Sequence, residues 1–176
     1  MTDSLCGEKG IVAFAFGMPH SIPANEAIHD VACAAAHIMN ASVFTQLDCG
    51  IMNPHVPNGV WIFPQIPGAN PPPPTLRIAR FAALSAKRIG LTELHIVAAP
   101  PHIRRCMRDM RMAMREVGLD ATLSAYGQDI FLEEHSPSYW FYPKGERYCT
   151  QHRLRWVIRE SILQTIPWRI YRRIAG

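Results

Sequence analysis

The sequence predicts a three-layer, Rossmann-like α/β fold, a mostly parallel sheet with helices on both faces. Short apolar runs of strand length alternate with segments of helical period from residue 11 to residue 125. Such alternation requires parallel strands joined by right-handed crossovers. The 176 residues, 48% of them hydrophobic, suffice for one domain with its own core. No apolar run approaches the roughly 20 residues that span a bilayer.

The elements follow in order. Ile11 to Phe16 (IVAFAF) reads as the first strand. Gly17 to Asn25 then forms a loop, and Asn25 is expected to cap a helix ending near Met39. Ile28, Val31, Ala35 and Ile38 recur there at helical spacing. Ala41 to Leu47 is the second strand and Val60 to Phe63 a short third.

Residues 64–75, PQIPGANPPPPT, are read as a stiff extended connection, because proline fixes φ and removes backbone donors. Leu76 to Ile89 is helical, with Ile78, Ala82, Ser85 and Ile89 on one face and Gly90 as its stop. Glu93 to Ala99 is the fourth strand. Pro101 suits the first turn of the next helix, which runs to Val117. Its stripe Ile103, Met107, Met110, Met114 and Val117 reads as core. Arg104, Arg108, Arg111 and Arg115 form a second stripe expected to face water. Ala121 to Ala125 is the fifth strand. An irregular stretch follows Tyr126, and a last helix runs from about Gln151 to Thr165. Pro167 interrupts it before PWRIYRRI, which is expected to pack on the domain edge.

Charge is uneven. The net charge is +4, yet from Lys144 onward eight Lys/Arg face two Asp/Glu, a local +6. The basic tail, residues 151–176, reads as a solvated helix face or as a contact for an anionic partner. Five cysteines, with no CxxC pair, argue against a disulfide framework or a four-cysteine zinc site. Asp3, Glu8 and Lys9 interrupt the beginning of the chain, so a signal peptide is not expected and the cytoplasm is.

In this fold ligands sit beyond the carboxyl ends of the strands. Two loops fall there: Gly17 to Asn25, and Pro100 to Arg105. His102, Arg104 and Arg105 stand where a helix begins and would favour an anion, with arginine supplying a planar fork. His102 is the candidate acid or base. Gly17, His20 and Ser21 belong to the other loop, Asp48 follows the second strand, and Thr75 starts a helix; with Pro100 they complete the expected ligand site.

Competing chemistries are weaker. His29, Cys33 and His37 share one helix at steps of four, but such steps drift around its axis and a third ligand at i+8 fits poorly, so no metal is expected. There is no GxSxG, and Cys106 reads as a packed thiol.

The stretch IVAAPPHIRRCMRDMRMAMREVGLDATL resembles the SanA/YdcF/ElyC-like family, a domain of unknown function. That family carries an apolar strand, a Ser/Ala-Pro-x-His loop, a helix with one or two arginines, and Ala-Gly-Leu/Ile-Asp before another strand. Here the loop is Ala99, Pro100, Pro101 and His102, followed by Arg104 and Arg105. Thr75 and Ala79 match the Thr and Ala of the family's Ser/Asn-Thr-x-x-x-Ala helix. Arg159, Glu160 and Tyr171 fit its closing helix. The family's usual glycine-rich first turn is reduced here to Gly17, Met18 and Pro19. The resemblance implies a three-layer fold, a nucleotide-type ligand and a link to bacterial envelope biogenesis.

The expected function is therefore binding of an anionic, phosphate-containing or nucleotide-like small molecule, with no nucleic acid as partner. Its enzymatic form would be phosphoryl or glycan-precursor chemistry. The alternatives are a regulatory or interaction protein using the basic tail, and a transferase dependent on S-adenosylmethionine or a nucleotide.

Overall fold

The computed structural model of the chain describes residues 8–19, 21–52, 56–64 and 74–175. Five strands form one sheet: β1 (Lys9–Phe14), β2 (Ser42–Thr45), β3 (Val60–Ile62), β4 (Glu93–Ala98) and β5 (Thr122–Ala125). All pair in parallel, in the order β3-β2-β1-β4-β5. The strand order reverses between β1 and β4, so the switch point lies beyond Phe14 and Ala98, which are paired in register.

Side chains alternate cleanly across the sheet. Ile11, Ala13, Val43 and Val97 face the layer holding α1 (Pro23–Met39). Val12, Phe14, Phe44, Leu94, Ile96 and Ala98 face α2 (Thr75–Ile89) and α3 (Ile103–Val117). The three-layer α/β fold is thus as expected. The helices after β1, β3 and β4 stop at Asn40, Gly90 and Gly118, each with positive φ.

The differences from the sequence reading have physical causes. Asn25 does not cap α1; the helix starts earlier, at Pro23, and Asn25 lies fully buried in its first turn. Ile38 is 75% exposed, because Ala24, Ala27, Ile28, Ala32, Ala35 and Ala36 supply the buried face. The second strand ends at Thr45, and Leu47 and Asp48 enter a 3₁₀ turn. Pro100 and Pro101 form a turn before α3 rather than its first residues. Arg108 does not simply face water: its guanidinium binds Asp109 Oδ1 and the Leu163 carbonyl and lies 4.2 Å from the Tyr171 ring centre. The proline-rich connection falls largely outside the described residues.

The stretch after Tyr126 contains a helix, α4 (Gln128–Glu134), which apolar spacing had not signalled. Its Phe131 packs with Trp140 and Trp156 on the α1 side. α5 (Arg153–Thr165) then passes along α3, and α6 (Trp168–Ala175) buries Tyr171 and Ala175 beside Leu76 of α2. The C-terminal segment therefore passes the carboxyl edge of the sheet and contributes to both of its layers. No helix among the described residues is long and apolar enough to cross a membrane.

Candidate functional site

Three features shape the carboxyl edge. The first is the loop after β1. Asn25 Oδ1 accepts from the Phe16 backbone N–H at 2.8 Å, and its Nδ2 donates to the carbonyls of Gly17 and Pro19. A fully buried amide thus holds the loop from within α1. Gly17 has φ +116°, and a Cβ there would lie 2.8 Å from Thr150 Oγ1. Only glycine lets residues 148–150 close so tightly over this loop.

The second feature is a polar ladder between α3 and α5. Trp156 Nε1 donates to the Pro101 carbonyl at 3.0 Å, Arg105 Nε to Glu160 Oε2 at 3.0 Å, and Arg108 to the Leu163 carbonyl at 3.2 Å. From the turn before α3 into that helix, and along α5, the partners advance by four and then three residues, so the two faces run in step. Glu160 also accepts from Arg159 through Oε1 at 3.1 Å. Farther along, Tyr171 donates to the buried Asp109 at 2.6 Å.

His102 sits inside this ladder, 4% exposed, edge-on to Trp156. An Arg105 terminal nitrogen lies 3.2 Å from its Nδ1. Arginine has no acceptor, so Nδ1 must accept and the neutral ring carries its proton on Nε2. Burial, followed by the charges of Arg105, Arg159 and Arg147, pushes the His102 pKa well below its usual value. His102 is therefore a neutral hydrogen-bond donor at neutral pH, a poor general acid. Burial raises the Glu160 carboxyl against the opposing pull of Arg105 and Arg159. The half-buried Arg147 guanidinium donates to no group among the described residues, and burial lowers its pKa. Arg105 and Arg159 thus both bind the Glu160 carboxylate, and together with Arg147 they set three positive charges around the His102 ring.

The third feature is a cavity of 490 Å³ outside the α3–α5 seam. Pro100, Pro101 and Arg104 form one wall, and the half-buried Phe141 gives it aromatic surface, with the buried Trp140 and Trp156 behind it. Arg153, Glu160, Ser161 and Gln164 come from α5, and Leu132 and His135 from α4 and its end. The Arg104 and Arg153 side chains are exposed and pair with no carboxylate among the described residues.

The expected site is thus divided. Pro100 and Arg104 line the cavity, while His102 and Arg105 stand behind it, buried. Gly17 is buried, Ser21 is exposed, and neither lines the cavity. Asp48 accepts from Gln46 Nε2 at 2.8 Å, and Arg147 feels its charge. Thr75 is buried at the start of α2, beyond the cavity. His20 lies outside the described residues. His29, Cys33 and His37 form no metal-binding group among the described residues, where no cluster of three such side chains occurs.

Sequence reasoning missed Arg147, Arg153, Glu160 and the three aromatics as site residues. One signal for Glu160 was available: it is the single acid in residues 151–176, among six arginines. A lone carboxylate in such a setting is expected to be paired. The aromatic wall carries no comparable signal, because long-range packing assembles it.

Compared with known proteins, the chain matches no family model, no curated protein and no solved structure.

Proposed function

We propose that the protein binds an anionic small molecule, phosphate-containing or nucleotide-like, in the 490 Å³ cavity beyond the carboxyl end of β4. The observation that carries this reading is an apolar lining that meets two exposed guanidiniums, Arg104 and Arg153, which pair with no carboxylate among the described residues. The half-buried Phe141, with Leu132, Pro137 and Val157, offers apolar surface to the flat part of a ligand, backed by the buried Trp140 and Trp156. Arg104 and Arg153 offer forked donors to its anionic part. Behind them, the charges of Arg105, Arg159 and Arg147 converge on His102 and add to the positive potential at this edge.

Binding, not catalysis, is the primary reading, because the His102 imidazole is buried and its Nδ1 is occupied by Arg105. The resemblance to SanA/YdcF/ElyC-like proteins supports a nucleotide-type ligand and an expected link to envelope biogenesis. We place the protein in the cytoplasm. A transferase acting with S-adenosylmethionine or a nucleotide would use the same cavity, and the ligand screen distinguishes it.

The test is thermal unfolding against inorganic pyrophosphate, mononucleotides, dinucleotides, phosphosugars and S-adenosylmethionine. A ligand at about 100 times its Kd should raise Tm by roughly 5–10 °C. Arg104→Ala with Arg153→Ala should abolish that rise while leaving the ligand-free Tm unchanged, since both side chains are exposed. A ligand bound equally well by this double variant would place the site elsewhere.

A further inference from the structure

The outer face of α5 breaks the usual pattern of a surface helix. Its inner side is accounted for: Trp156 and Glu160 are buried against α3 and the loop after β4. The opposite side should be polar. Instead Leu154 is 71% exposed, Ile158 54% and Ile162 55%, at successive steps of four, with Val157 48% exposed beside them. Leu132 of α4, 67% exposed, stands across the cavity that Val157 also lines. Three aliphatic side chains in a line along a helix of about 20 Å, with Val157 on their flank, constitute an apolar ridge, not scattered surface residues.

The charges around the ridge identify its occupant. Arg153 and Arg155 stand on either side of it by helical spacing. α6 then exposes Arg169, Arg172 and Arg173, with Ile170 54% and Ile174 59% exposed. Within α5 and α6 the single acid, Glu160, is buried and held by Arg105 and Arg159, while the exposed acids of α4, Glu133 and Glu134, belong to the far side of the cavity. A second copy would bring the same arginines face to face, since a twofold contact sets a patch against itself. An anionic lipid surface supplies the opposite charge together with an apolar layer for the aliphatic side chains. The arginine stems can lie along that layer with their heads at the phosphates.

We propose that α5, assisted by the arginines of α6, docks this protein on an anionic membrane surface without crossing it. The helix lies in the plane of the interface, with Leu154, Ile158 and Ile162 immersed.

The test is co-sedimentation of the full chain with vesicles of phosphatidylcholine alone or mixed equally with phosphatidylglycerol. The protein should pellet with the mixed vesicles, not with the neutral ones, and high salt should release it. Leu154→Ser, Ile158→Ser and Ile162→Ser together should weaken binding more than about tenfold, since several buried methylenes are lost. These positions are exposed, so Tm should not fall; Arg169→Gln with Arg172→Gln and Arg173→Gln gives an independent loss. Failure to bind the mixed vesicles overturns the proposal, as does undiminished binding by the triple serine variant. Lipid-free dimers that the same serine changes dissociate would assign the ridge to a second copy instead.

Discussion

Arg105 of α3 and Glu160 of α5 meet at 3.0 Å, with side chains 5% and 8% exposed. This contact, with Arg108 to the Leu163 carbonyl and Tyr171 to Asp109, ties the basic C-terminal segment to the helix that follows the switch point. A buried pair contributes little net stability over an apolar pair, but removing one partner strands a charge. Glu160→Ala should therefore destabilise the protein by about 3–5 kcal/mol. Urea denaturation measures it. Arg105→Met combined with Glu160→Leu should recover part of the loss, since the buried guanidinium goes with its partner and the remaining one, Arg159, is 33% exposed and can be solvated. Equal instability of the single and double variants would count against the pair as the cause.

The pH dependence carries a definite sign. The folded His102 pKa lies well below 6.5, because of burial and then Arg105, Arg159 and Arg147. In the window from 6.5 down to the folded value, the unfolded chain binds a proton that the folded one refuses. Stability is then lost as pH falls through that window. Asp109 and Glu160 have the opposite sign: burial raises both, so their contribution falls as pH rises above their usual values of 3.8 and 4.5. Comparing His102→Asn with the parent isolates the histidine part. The variant should show a shallower loss of stability between neutral pH and mild acid, and the parent's His102 ring should stay neutral, protonated on Nε2, in nitrogen NMR at neutral pH.

Asn25 offers a third measurement. Its amide satisfies the Phe16 N–H and two loop carbonyls while fully buried. Asn25→Ala leaves that N–H without a partner, at a cost of about 1–3 kcal/mol. Asn25→Asp keeps the acceptor but loses the donor, and it adds a buried charge. It should be no better than alanine at neutral pH. Denaturation of both variants decides whether the donor side matters.

Thiol chemistry separates the cysteines. Burial pushes Cys49 up to about 12 and Cys106 well above the ordinary thiol value. Both side chains are fully or nearly fully inaccessible. Alkylation at neutral pH should leave these two unmodified in the folded protein and modify them at once in denaturant. Mass spectrometry of the labelled peptides reads the result. Rapid native labelling of Cys106 would mean that its apparent shelter beside Arg105 opens in solution.

Much of the fold was legible in the residues. Ile11 to Phe16 and Glu93 to Ala99 announce strands, the Ile78/Ala82/Ser85 and Met107/Met110/Met114 faces announce helices, and Gly90 and Gly118 announce their ends, because period and turn chemistry are local properties. Local pattern also placed Pro100 and Arg104 at the carboxyl edge, where they line the cavity. It misread Asn25, whose cap-like identity is overruled by burial, and Arg108, whose place on a polar stripe is overruled by Tyr171 and Leu163.

By itself, then, the sequence determined the alternation of elements, the parallel sheet and the basic character of the tail. Only the tertiary structure decided which groups share the site. It set Glu160 against Arg105 across 55 positions of chain, closed residues 148–150 over Gly17, and left the aliphatic side of α5 without cover. The physical reason is that periodicity reports the side of an element a residue occupies. The partner waiting on that side is set by contacts between segments far apart in the chain.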